Sequence, residues 1–167
     1  MSRGFVKEDD QEDVPMVPPR AFLPKDVPNY VTPNGMDELL AERQKLVDEK
    51  ADPEGVNENE KRISVNFINA KMQLLDQRIA QAVVVDLNDQ PGDLVKFGAT
   101  VTLRIDETQQ TQVFQIVGAD ESNISKGKIS FISPVARALM NKRAGEKIGV
   151  KRPKGDITYE IVDIKYS

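Results

Sequence analysis

Cysteine, histidine and tryptophan are all missing from the 167 residues. Without cysteine there is no disulfide and no thiolate nucleophile. Without histidine the usual general base and the usual zinc ligand are gone. Any chemistry must run on carboxylates, lysine, tyrosine or a hard cation. Aromatic residues make up only 5%. The net charge of −4 argues against a protein that coats nucleic acid with lysines, although a local basic patch remains open. "MSRGFVKEDD" has no apolar core of a signal peptide, and no apolar run approaches the length of a membrane span. A soluble, cytoplasmic protein is expected.

What is present falls into three stretches. Residues 1–29 hold the charge run "KEDDQED" and then five prolines, Pro15, Pro18, Pro19, Pro24 and Pro28. Proline forbids a long helix, so an extended or disordered arm is expected. Residues 30–82 read as an antiparallel coiled-coil hairpin. Thr32 is a natural N-cap with Pro33 at the first helical position. Val31 and Met36 are placed for a hydrophobic staple. Met36, Leu39, Leu40, Leu46 and Val47 supply the apolar face of a helix that runs to about Ala51. Asp52-Pro53-Glu54-Gly55 stops it. The second helix starts near Asn57, and Val65, Ile68, Met72, Leu75, Ile79 and Ala82 step by 3, 4, 3, 4, 3 along its seam. At 1.5 Å per residue the arms are roughly 28 and 39 Å long. Two such helices joined by a short turn must run antiparallel.

Residues 83–167 change period. "VVVD", "ATVTLRID", "QVFQIVG", "KISFI", "KIGVK" and "ITYEIVDIKY" read as strands, with "SPVARALMNK" as one short helix capped by Ser133. The whole is α+β: a helical hairpin followed by a small, mostly antiparallel β domain with one short helix.

The stretch "KADPEGVNENEK" places Asp52, Glu54, Glu58 and Glu60 where the two helices meet. Two readings stand side by side. Asn57 can cap the second helix with Glu60 three residues on, Glu58 can complement the helix dipole, and Asp52 and Glu54 suit a Pro-Gly turn. Alternatively the carboxylates are a tip that lends ligands to a hard cation. Lys61, Arg62, Lys71 and Arg78 on the second helix read either as a solvated charged face or as a surface for phosphates.

"YVTPNGMDELLAE", "VKFGATVTL", "QIVGADE", "KGKISFISPVARALMNKRAGE" and "ITYEIVDIKY" together resemble the bacterial Gre transcript-cleavage factors, GreA and GreB. The resemblance runs from about Tyr30 to Tyr166 and is most specific from Phe97 to Glu146. It implies an FKBP-like C-terminal domain that grips RNA polymerase, and a coiled-coil hairpin that enters the secondary channel. It implies polymerase contact at Ile132, Ser133, Pro134, Ala136 and Arg137, with Ala136 and Arg137 facing outward. It implies contact of nascent RNA with Lys61, Arg62 and Lys71. It also implies that tip acids, here Asp52, Glu54 and Glu58, stimulate hydrolysis of backtracked RNA by the polymerase's own centre. Asp52 and Glu58 would be ligands of a Mg²⁺ shared with the polymerase, the chain having no cofactor of its own. Two ions held near 4 Å apart activate water and stabilise the leaving oxygen. The factor would be an accessory and not itself an enzyme, a monomer, with no membrane partner.

The tip departs from the family. The Gre tip usually reads close to Gly-Asp-Leu-(Ser or Lys)-Glu-Asn-Ala-Glu-Tyr. Glu58-Asn59 is the best local match, which sets the essential Asp at Gly55 and the downstream Glu at Lys61. Each arm is also about two turns shorter than usual, or roughly 10 Å. A regulator that occupies the channel without efficient cleavage is therefore the alternative. A prolyl isomerase or chaperone module is a third reading, weakened by the scarcity of aromatic residues to line a pocket.

Overall fold

The computed structural model describes residues 15–167. The portion of the expected arm in residues 1–14 lies outside the described residues. The fold is α+β, with two long helices, a mostly antiparallel sheet and one short helix. The chain divides into two compact units: the residues up to Arg20 with Leu39–Ala80, and Ala21–Glu38 with Gln81–Ser167.

The helical unit is built from most of α1 (Pro33–Ala51) and α2 (Glu58–Gln81). Pro53 lacks an N–H and disfavours helix at Asp52, so α1 ends at Ala51. Asn57 caps α2, its Oδ1 accepting from the Glu60 amide at 2.9 Å. The Ser64 hydroxyl donates to the Glu54 carbonyl at 2.7 Å, and Arg43 Nε donates to Asp76 at 2.8 Å. As the first partner moves back from residue 54 to 43, the second moves forward from 64 to 76, which is antiparallel pairing. Leu39, Leu46, Ile68 and Leu75 are buried. Leu40 and Val47, expected beside them on the α1 face, are 47% and 36% exposed. Leu39, Arg43 and Leu46 take the 4, 3 spacing of a seam, and Leu40 and Val47 sit about 100° further round. Arg43 thus fills a seam position with charge, a device that favours one register over its neighbours.

The second unit holds a five-stranded sheet. Its strands are β3 (Thr100–Ile105), β4 (Thr111–Val117), β5 (Lys128–Ser130), β6 (Lys147–Val150) and β7 (Ile157–Lys165), in the order β5-β4-β3-β7-β6. All neighbours are antiparallel except β4 and β5. The register slips between Thr102 and Leu103 opposite β7, leaving Val162 as the extra residue. That bulge lets both Ile161 and Ile164, three apart, face inward at 1% and 9% exposure. The core lies between this face of the sheet and α3 (Pro134–Leu139), with Val101, Leu103, Ile116, Ala136 and Leu139 fully buried.

"VVVD" takes a different place from the one its β-branched residues suggest. Ala82–Val84 forms β2, which pairs in parallel with β1 (Asn29–Val31) outside the five-stranded sheet. Periodicity identifies a strand but not its partner, and here the partner lies about fifty residues away. Tyr30 of β1 packs against Phe97 and Phe131 with ring centroids 5.8 and 5.6 Å apart.

Candidate functional site

The turn between the helices is held by its own hydrogen bonds. The Glu60 carboxylate accepts from the Val56 amide at 2.7 Å, one residue earlier than the reciprocal bond of a capping box. Together with Asn57 to Glu60 and Ser64 to Glu54, this engages Glu60 in building the turn. Gly55 has φ +140°, and a Cβ there would come 2.7 Å from Glu60 Cβ and 2.8 Å from the Lys61 amide nitrogen. The position matching the family's essential Asp thus admits no side chain in this turn conformation.

Asp52, Glu54 and Glu58 are all exposed. Asp52 and Glu54 share an open cleft of ≈ 350 Å³ whose walls include Glu49, Ser64, Phe67 and Lys71. Lys71 Nζ lies 4.7 Å from the centroid of the Phe67 ring, a cation–π distance. The fold therefore brings Asp52, Glu54 and Lys71 together. Glu58, Lys61 and Arg62 do not line this cleft. They stand at the start of α2, where Arg62 donates to Asn59 Oδ1 at 3.0 Å. Among the described residues, no group of three or more acids is arranged to hold a metal ion. The cleft offers carboxylates that could complete a hard cation's shell supplied from elsewhere, with an ammonium beside them.

The second predicted surface surrounds the start of α3. Ser133 caps the helix, its Oγ accepting from the Ala136 amide at 3.3 Å. Pro134 and Arg137 are exposed, while Ile132 and Ser133 are half-buried. Ala136, expected to face outward, has 0% exposure. It lies on the α3 face that carries Leu139, and a methyl side chain lets the helix approach the sheet closely. Arg137, one residue on, is turned to solvent.

One polar cluster was given no role in the sequence, although it lies within "QIVGADE". The Glu121 side chain is only 3% exposed. Its carboxylate accepts from Thr32 Oγ at 2.5 Å, Asn34 Nδ2 at 3.1 Å and Lys128 Nζ at 3.3 Å. Thr32 Oγ in turn accepts from the Gly35 amide at 2.9 Å, the expected N-cap. A Cβ on Gly35 would lie 2.5 Å from Glu121 Oε1, so the glycine makes room for the acid. The available signal was an acid after a Gly-Ala-Asp turn, opposite a helix start that carries no acid in its first turn. Tyr166 closes the same unit: its hydroxyl donates to the Leu94 carbonyl at 2.6 Å and accepts from the Lys96 amide at 2.7 Å. Burial raises its pKa above the ordinary tyrosine value, and the Lys96 amide offsets part of that rise.

Of the likenesses to known proteins, the family-model match falls within this second unit. Residues 90–166 match the family model "Transcription elongation factor, GreA/GreB, C-term". The transcription elongation factor GreA of Maricaulis maris is 43% identical over 100 residues, which is 60% of this chain and 64% of that protein. GreA of Azorhizobium caulinodans is 45% identical over 93 residues, 56% of this chain and 59% of that protein. The chain thus spans less than two thirds of the length of these curated relatives. Among solved structures, GreA factor homolog 1 of Thermus thermophilus aligns at a TM-score of 0.41 and 20% identity, covering 81% of this chain and 97% of that one. A GreA/GreB factor from Nitrosomonas europaea aligns at 0.43 and 22%, covering 82% and 98%. The domain that Glu121, Ser133 and Tyr166 help to build is thus similar to the C-terminal domain of the GreA/GreB factors.

Proposed function

We propose that this chain is a transcription elongation factor that binds bacterial RNA polymerase at its secondary channel and acts on backtracked or paused complexes. The observation that carries the reading is the GreA/GreB C-terminal domain over residues 90–166, with the exposed Pro134 and Arg137 at its capped turn. Those residues and Ile132 form the polymerase-facing patch, while buried Ala136 supports it from beneath. The hairpin turn brings Asp52 and Glu54, with Lys71 beside them, to nascent RNA. A Mg²⁺ held between these acids and the polymerase would supply a water activated for attack on the phosphodiester. Asp52 and Glu54 provide oxygen ligands, and Lys71 provides a positive charge for a phosphate. The chain works as an accessory, the polymerase's own centre performing the cleavage.

A second reading is favoured by Gly55 and Glu60. With no side chain at Gly55, a lysine at position 61 where the register sets the downstream Glu, and neighbouring Glu60 tied to the Val56 amide, the turn lacks the acid pair of the Gre tip. On this reading the chain occupies the channel and modulates pausing without efficient cleavage. Stalled elongation complexes decide between them. Shortening of the RNA by the wild-type chain, lost in Asp52→Ala with Glu54→Ala, supports cleavage. Competition with a GreA factor without shortening supports occupancy. Failure to bind polymerase, with Arg137→Glu indistinguishable from wild type, defeats both.

A further inference from the structure

The cleft at the inter-helix turn holds opposite charges that do not pair. Its walls carry Glu49, Asp52 and Glu54, with Lys71 beside them. An ammonium among three carboxylates is drawn to close on one of them. Among the described residues, no ion pair joins Lys71 to any of the three. Its Nζ lies instead over the Phe67 ring, 4.7 Å from the centroid. Phe67 comes one turn before Lys71 on α2, so the two side chains share a helix face whatever the register of the hairpin.

The competition is close in energy. A salt bridge between exposed side chains gains little, because water screens the charges and two long side chains lose freedom. The negative face of an aromatic ring attracts an ammonium by a comparable amount and leaves the carboxylates unneutralised. The ring is half-buried and lines the cleft next to buried Ile68, so the packing of the hairpin sets its place. The acid side is fixed as well, since the Ser64 hydroxyl donates to the Glu54 carbonyl at 2.7 Å. We infer that Phe67 is a positioning residue whose ring holds the Lys71 ammonium out of ion pairing with Asp52 and Glu54. The acids thereby keep their oxygens for a hard cation, and Lys71 keeps its charge for a phosphate. An aliphatic side chain at 67 lets the ammonium close on the acids, and each then cancels the other. What the two charges serve rests on the proposed function, whereas the positioning is a property of the chain by itself.

Nuclear magnetic resonance on the full chain tests the positioning without polymerase. Protons on the Lys71 ε-carbon, held over the ring face, are expected to be shifted upfield by the ring current. The shift should be lost in Phe67→Leu, which keeps the site apolar, and retained in Phe67→Tyr, which keeps the ring. Far-ultraviolet circular dichroism checks that both variants keep their helices. Lys71 ε-protons that resonate alike in wild type and Phe67→Leu overturn the positioning. In stalled elongation complexes, Phe67→Leu should slow shortening of the RNA several-fold and Phe67→Tyr should restore it. Equal shortening by wild type and Phe67→Leu, with the ring-current shift lost, overturns the part Phe67 plays in cleavage. No shortening by the wild-type chain counts against the cleavage reading itself, while the ring-current shift still decides the positioning.

Discussion

Glu121 offers the sharpest test of how the family domain is held together. Replacing it with Ala leaves Thr32 Oγ, at a residue 2% exposed, without its acceptor. A buried polar group deprived of its partner costs about 1–3 kcal/mol. Asn34 keeps its bond to Glu38 at 3.2 Å, and Lys128, at 23% side-chain exposure, can draw on water. Breaking a fully buried ion pair costs about 3–5 kcal/mol, and this partly hydrated one falls below that range. Together these place Glu121→Ala at about 3 kcal/mol, and a drop in Tm on the order of 10 °C. Glu121→Gln keeps the shape and an acceptor for Thr32 but turns an NH₂ towards donors, so it should cost about half as much. All three tyrosines, Tyr30, Tyr159 and Tyr166, lie in this unit, and the chain has no tryptophan. The tyrosine band of the near-ultraviolet circular dichroism during urea or thermal unfolding therefore reads this unit alone, Phe67 of the helical unit contributing only at shorter wavelength. A loss below about 0.5 kcal/mol for Glu121→Ala would refute the clamp, since that is the size of an ordinary surface change.

Two further outcomes follow from the same reasoning. Gly55→Asp, which restores the family's acid by register, should not restore the family's turn. The positive φ and the 2.7 Å approach to Glu60 Cβ should cost the hairpin about 1–3 kcal/mol, seen as a lower helical melting temperature in far-ultraviolet circular dichroism. An unchanged melting temperature would mean the turn accepts a side chain. Tyr166 has a raised folded pKa, so its stabilising effect is complete below the unfolded value near 10 and is lost as pH rises through the folded value. Tyr166→Phe should weaken the unit by about 1–2 kcal/mol at neutral pH through loss of the Leu94 and Lys96 bonds. The gap between wild type and variant should narrow above pH 10, and a constant gap would contradict the burial argument.

Local rules made much of this chain legible in one dimension. Thr32, Asn57 and Ser133 are caps because a side-chain oxygen beside a helix start has an orphan amide within reach, and all three accept the bond their spacing predicts. The seam of α2 follows from periodicity alone, and its central residues Ile68 and Leu75 are buried. The same rule misplaced Leu40 and Val47, because a polar residue, Arg43, takes the seam position between Leu39 and Leu46 and pairs with Asp76. Sidedness on a six-residue helix was beyond the sequence as well: one 100° step separates buried Ala136 from exposed Arg137, and only the packed sheet says which way the helix faces.

By itself the sequence determined the α+β class, the extents of both long helices and the likeness of residues 90–166 to the GreA/GreB C-terminal domain, because each rests on short-range spacing or on residues in a specific order. Tertiary structure alone decided that Glu121 meets Thr32 across 89 positions, that β2 pairs with β1, and that Gly55 has no room for a side chain. The reason is physical: caps and seams are local interactions, whereas a buried carboxylate, a strand partner and steric room at a turn depend on segments that become neighbours only when the chain folds.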